Sequence, residues 1–160
     1  MTTSIGQPAS DFTLYADNGD LVTLSALQGT PVVLAFFPAA FTGGCETELC
    51  TFRDAMATYN DIDTTVLGIS VDSRFANAAF AAANQLNFPI LSDYTRSTID
   101  AYGIRFPDLA GMPGYDVAQR SVFVIDAGGK VAWRWLADNP GEAPPYDEVL
   151  SAVRGLTSPA

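Results

Sequence analysis

At 160 residues, 48% of them hydrophobic, the chain suits one domain that buries roughly 70% of its unfolded surface on folding. A formal net charge of −10 with only 8 Lys and Arg excludes a nucleic-acid surface, because phosphate neutralisation needs clustered cations. Histidine is absent, which removes Ser-His-Asp triads, Cys-His nucleophile pairs and the commonest metal ligand together.

Residues 11–15 alternate as a strand, Ala16-Asp-Asn-Gly-Asp20 signals a turn, and Leu21–Leu24 is a second strand, so an N-terminal hairpin is predicted. Ser25–Gly29 reads as one helical turn closed by glycine. Pro31–Phe37 is an apolar run suited to a buried strand, and Pro38 ends it. Gly43 and Gly44 permit a tight turn. Leu49, Phe52, Met56 and Tyr59 then recur at helical steps, which predicts a helix from Cys45 to about Asn60. Thr64–Val71 suits a strand covered on both faces. Asp72 and Ser73 read as caps for a helix over Arg74–Leu86, with Phe75, Ala79, Ala82 and Leu86 on its apolar stripe.

A shorter helix is predicted over Ser97–Tyr102, stopped by Gly103. Residues 104–119 keep no steady period and contain Pro107, Gly111, Pro113 and Gly114, so they read as a long loop. Its Phe106, Met112 and Tyr115 either rim a site or pack down. Ser121–Asp126 and Val131–Leu136 form a late hairpin around Ala127–Lys130, and Trp133 and Trp135 share one face, suited to core or dimer packing. After a second loop at Asn139–Pro145, Asp147 is expected to cap the last helix, with Val149, Leu150, Val153 and Leu156 inward. Thr157–Ala160 is expected to fray. Strands alternating with helices predict one α/β domain over residues 1–160, a mixed central sheet with helices on both faces.

No run is long enough to span a bilayer and no signal-peptide pattern opens the chain, so no membrane is expected. Two cysteines five residues apart are not a secreted disulfide framework, which favours the cytoplasm and a reactive pair. Cys45 falls in the first turn of a helix at the end of a core strand, where unpaired backbone N–H groups and the helix dipole favour thiolate. Without histidine, further activation must come from arginine and from backbone donors such as those of Gly44 and Cys45. The plain alternative is an inert buried cysteine.

Pro38-x-x-x-Thr42-x-x-Cys45 resembles the active-site signature of the peroxiredoxins, thiol peroxidases of the thioredoxin-like fold. Cys45-x-x-Glu48-x-Cys50-x-Phe52-Arg53-Asp54 is similar to the PrxQ branch, also called bacterioferritin comigratory protein, and Phe36–Gly43 to the AhpE-type branch. Gly6–Leu14 resembles the family's opening strand, Phe88–Asp93 its short strand and turn, and Arg120–Asp126 the late strand carrying its active-site arginine. The resemblance implies that Cys45 attacks a hydroperoxide and becomes a sulfenic acid, that Thr42 hydrogen-bonds at the site, that Pro38 shields the thiolate, and that Arg120 holds thiolate and peroxide. It implies a thioredoxin-type or other thiol reductant and no cofactor or metal. Monomer and homodimer both stay open.

Glu48 either holds an arginine in place or is only a favourable charge in a helix first turn. The carboxylate of Glu46 opposes thiolate formation unless it faces solvent. The resemblance makes Cys50 the resolving cysteine. Five residues along an ideal helix put two Cα atoms roughly 8–9 Å and about 140° apart, whereas a disulfide needs them within roughly 7 Å. A Cys45–Cys50 bond therefore requires the helix to unwind; otherwise Cys50 is incidental. Two other functions use the same residues: a redox sensor or binding module switched by this pair, and a dithiol oxidoreductase, which normally uses Cys-x-x-Cys.

Overall fold

Val32–Phe36 (β3) is buried along its whole length because both faces of its sheet are covered. In this computed structural model, which describes residues 3–157 apart from the side chains of Cys45 and Thr157, β3 pairs in parallel with Thr65–Ser70 (β4) and antiparallel with Ser121–Ile125 (β8). Ile90–Ser92 (β5) extends one flank in parallel with β4, and Val131–Leu136 (β9) closes the other against β8. The hairpin of Thr13–Ala16 (β1) and Leu21–Thr23 (β2) joins through an antiparallel β1–β5 pairing. The result is a seven-stranded mixed sheet in the order β2-β1-β5-β4-β3-β8-β9.

The two-residue period of the strands divides the core between two faces. Leu34, Phe36, Leu67, Ile69 and Phe123 point to a cluster completed by Ile99 and Tyr102 of Ser97–Tyr102 (α3). Val33, Ala35, Val66, Val122 and Val124 point the other way. There they meet Leu49, Phe52, Met56 and Tyr59 of Gly43–Asp61 (α1), Phe80 of Arg74–Ala83 (α2), and Val149 and Val153 of Tyr146–Thr157 (α4). The α1 stripe is the one its spacing predicts. Trp133 and Trp135 are half-buried against this second cluster. Among the described residues no helix is long and apolar enough to cross a membrane.

Three expectations fail in detail. In α2 the inward residues are Asn77, Phe80 and Ala81, while Phe75 is 69% exposed and Ala79 and Ala82 face out. Asn77 occupies the core face because its amide donates to the carbonyls of Asp72 and Leu91 and accepts from Ser70 Oγ. Ser73 does cap α2, accepting from Ala76 N–H at 3.1 Å, but the helix stops at Ala83, because Gln85 takes a left-handed φ of 53°. Residues 104–119 are not all loop: Arg105–Phe106 (β6) and Val117–Ala118 (β7) pair antiparallel. Two-residue strands are too short to show a period. Their hairpin is held by Arg105, which donates to Asp100 at 2.7 Å and Asp116 at 2.9 Å; Phe106 and Tyr115 pack down, while Met112 is exposed. Finally, α4 begins at Tyr146, so Asp147 lies inside its first turn rather than capping it, and Leu156 is 38% exposed. Beyond Thr157, the expected fraying concerns residues outside the described ones.

One glycine sets how closely α1 approaches the sheet. A Cβ on Gly68 of β4 would sit 2.8 Å from Ile90 Cδ1 and 3.1 Å from Leu49 Cδ1. Gly68→Ala should therefore overpack the α1 interface and lower unfolding stability by about 1–3 kcal/mol, read from urea denaturation. An unchanged midpoint would show that α1 moves aside freely.

Candidate active site

The end of β3 and the start of α1 are joined by a short segment fixed at several points. Pro38 and Ala39 are buried. Phe37 N–H donates to Ile69 O at 3.0 Å, and Ala40 N–H donates to Asp72 Oδ2 at 2.8 Å. Ser70 Oγ shares its one proton between Asp72 Oδ2 at 2.9 Å and Asn77 Oδ1 at 3.1 Å. Asp72 is thus a clamp on this segment and not the helix cap its position predicts. Phe41 has a left-handed φ of 64°, which costs a non-glycine residue conformational energy. Its ring lies 5.3 Å from that of Phe80 yet is 54% exposed.

Thr42 stands at the N-cap of α1 but does not cap with its side chain. Its hydroxyl instead donates to Ala39 O at 2.9 Å. The first backbone N–H groups of α1 are therefore left without that cap, at the turn where the main chain of Cys45 sits. The reading of Cys45 as a thiolate concerns a side chain outside the described ones.

Arg120, the residue immediately before β8, enters this turn. It is 4% exposed, and among the described residues its guanidinium donates from Nε to Pro140 O at 3.0 Å and from Nη1 to Glu48 Oε1 at 3.3 Å. A Cβ on Gly44 would lie 3.1 Å from Nη2 and 3.8 Å from Cζ. The cation thus rests over Gly44, the residue before Cys45, at a distance that suits glycine best. Glu48, one turn along α1, is 1% exposed, and its Oε2 is buried with no hydrogen-bond partner among the described residues. Burial pushes its carboxyl from 4.5 up to about 8, against the downward pull of Arg120.

The fold therefore brings Pro38, Thr42, Glu48 and Arg120 to one end of α1. It does not bring Cys50 there: that half-buried free thiol donates to Asn84 Oδ1 at 3.6 Å, on the side of α1 that faces α2. Sequence reading missed Asp72 as a clamp, and it missed Pro140, which acts through a main-chain carbonyl with no side-chain signature. Among the described residues no group of His, Cys, Asp and Glu is arranged to hold a metal ion.

The model of the AhpC/TSA family matches residues 5–134 of the chain. Alkyl hydroperoxide reductase E of Mycobacterium tuberculosis is 35% identical over 158 residues, covering 97% of this chain and 99% of that one. Peroxiredoxin Bcp of Bacillus subtilis is 34% identical over 135 residues, covering 84% and 86% respectively. Among solved structures, peroxidoxin BcpB from Mycobacterium tuberculosis matches with a TM-score of 0.86 and 32% identity, over 98% of this chain and 99% of that one. The mixed sheet and its helices are thus the thioredoxin-like fold of the peroxiredoxins.

The raised Glu48 carboxyl has a consequence for stability. The folded state keeps this proton at pH values where the unfolded chain has released it. Its contribution is therefore fully present below about 4.5 and lost as pH rises through about 8. Glu48→Gln should flatten that decline when urea unfolding is followed across this window. A slope identical to that of the parent would show that Glu48 titrates alike in both states.

Proposed function

Since the chain belongs to the AhpC/TSA family and is a cysteine-based peroxidase of the peroxiredoxin kind, we propose that Cys45 is its peroxide-attacking residue, with Pro38, Thr42, Arg120 and Glu48 forming the site and Cys50 resolving the product. The observation that carries this reading is the Arg120 guanidinium, buried, held by Glu48 and Pro140, and resting over Gly44 at the turn that bears Cys45.

The chemistry follows from these positions. The Cys45 thiolate attacks the terminal oxygen of a hydroperoxide; an S–O bond forms and the O–O bond breaks. The electron pair leaves on the second oxygen, which takes a proton and departs as water or alcohol, while Cys45 becomes a sulfenic acid. Charge grows on the leaving oxygen, and a fixed guanidinium stabilises it without reorganising. The Thr42 hydroxyl spends its proton on Ala39 O, so its oxygen is left to accept from the peroxide O–H. Pro38 is buried behind the site and keeps water from it. Glu48 acts through Arg120 and is a positioning residue.

Cys50 then attacks the sulfenic sulfur. An S–S bond forms, the S–O bond breaks, and hydroxide leaves with the Cys50 proton as water. A thioredoxin-type or other thiol reductant returns both cysteines to thiols by exchange. The substrates are hydrogen peroxide and organic hydroperoxides, and the working unit is one domain over residues 1–160, a monomer or homodimer in the cytoplasm. The acidic surface and the reducing conditions that a cysteine pair needs support that placement.

Cys45→Ser should abolish peroxide consumption while leaving the circular dichroism spectrum unchanged; activity near that of the parent would sink the assignment. Arg120→Met keeps the side chain's length without the cation, and peroxide attack in stopped flow should slow by on the order of 100-fold or more. An unchanged rate would reduce Arg120 to a packing residue. Cys50→Ser should react once and then stall as a sulfenic acid when only a thioredoxin-type reductant is supplied, over-oxidising readily. Normal turnover in that assay would make the mechanism one-cysteine.

A further inference from the structure

Cys50 is seated against a second helix. Its thiol donates to Asn84 Oδ1 at 3.6 Å, and Asn84 is the C-cap of α2. The Asn84 amide is itself fixed, because Nδ2 donates to Phe80 O at 3.0 Å. A carbonyl can only accept, so this bond requires the NH₂ group and leaves the amide oxygen for the thiol. The same end of α2 grips α1 twice more. Arg53 Nη1 donates to Asn84 O at 2.7 Å, and Asn87 Nδ2 donates to Arg53 O at 3.4 Å. Residues 50–53 of α1 are thus tied to the segment that ends α2. Yet the resolving step needs this part of α1 to leave its helix, since an ideal helix separates the two cysteines by more than a disulfide spans.

We propose that Asn84 is a positioning residue for Cys50: its side-chain oxygen seats the thiol against the end of α2 and sets how often residues 45–51 open to bring Cys50 to Cys45. The seat keeps Cys50 still, against the end of α2 and away from Cys45, until α1 opens. Once released, Cys50 gives up its proton, its sulfur bonds to that of Cys45, and the sulfenic oxygen departs with that proton as water. The rate-setting role rests on Cys50 being the resolving residue; the seating does not.

The two parts are tested separately. In a Cys45→Ser background without peroxide, the rate of Cys50 alkylation by iodoacetamide reads the seat alone. Asn84→Ala removes the acceptor and should speed alkylation by about three- to tenfold, the range of one net hydrogen bond. Asn84→Asp keeps an oxygen at the same place and should stay close to the parent, a rescue that a purely structural role would not produce. Asn84→Leu keeps the bulk without the acceptor and should follow Asn84→Ala, which preserves the test if the alanine variant does not fold. With Cys45 present, decay of the sulfenic acid after one equivalent of peroxide should quicken in Asn84→Ala by a similar factor. Equal alkylation in Asn84→Ala and parent, or Asn84→Asp as fast as Asn84→Ala, would overturn the seating. Sulfenic decay unmoved by Asn84→Ala, or normal turnover by Cys50→Ser with a protein reductant, would overturn the rate-setting role.

Discussion

The pairing of Arg120 with Glu48 is the interaction on which the site depends. Neither residue is placed by its own element alone: the residue before β8 carries the cation, α1 the carboxyl, and the segment carrying Pro140 supplies a second acceptor. Burying a guanidinium beside a carboxyl is costly, and burial raises the Glu48 carboxyl to about 8, so below that pH the carboxyl keeps its proton and meets the guanidinium as a neutral acceptor. Among the described residues the compensation is incomplete, because Glu48 Oε2 is buried with no partner there. Such a pair adds little net stability, yet removing one member of a buried pair typically costs about 3–5 kcal/mol. What it secures is position, holding a cation over Gly44 at the first turn of α1.

A tension runs through α1 itself. Its stripe of Leu49, Phe52, Met56 and Tyr59 anchors it in the core, and Gly68 lets it lie close to the sheet. Its first turn needs helical geometry to aim backbone N–H groups and to bring Glu48 under Arg120. The proposed resolving step needs that same turn to come apart. The fold separates the two demands only in part: Phe52, Met56 and Tyr59 lie beyond residues 45–51 and form the lasting anchor, whereas the buried Leu49 falls inside the segment that opens and must release. An opening of the first turns can therefore leave the anchored part packed.

Much of this was legible in the sequence where a pattern is long. The buried strands β3 and β4 and the stripe of α1 follow from runs and spacings of many residues, and Pro38, Thr42, Cys45 and Arg120 stand out through motif resemblance. The failures have physical causes. In α2 an alanine-rich helix carries little information about which side faces in, and a buried asparagine with three hydrogen bonds outweighs an exposed phenylalanine. Asp72 precedes a helix and so reads as a cap, but its carboxylate is drawn instead to Ala40 N–H, 32 residues away. Pro140 contributes a carbonyl that every residue possesses. The seat of Cys50 on Asn84 spans 34 residues, and no local pattern records it.

The same long reach bears on how the chain is made. Glu48 and Arg120 lie 72 residues apart, so during synthesis from the N-terminus α1 exists well before its partner cation. Until β8 emerges, β3 is an open sheet edge and Glu48 has no counter-charge to accompany it into the core. An ionised carboxylate in that position favours water, which disfavours docking of this turn before Arg120 is present. The cation and the turn that bears Cys45 can therefore meet only after residue 120 has been made, which places assembly of the site late in synthesis.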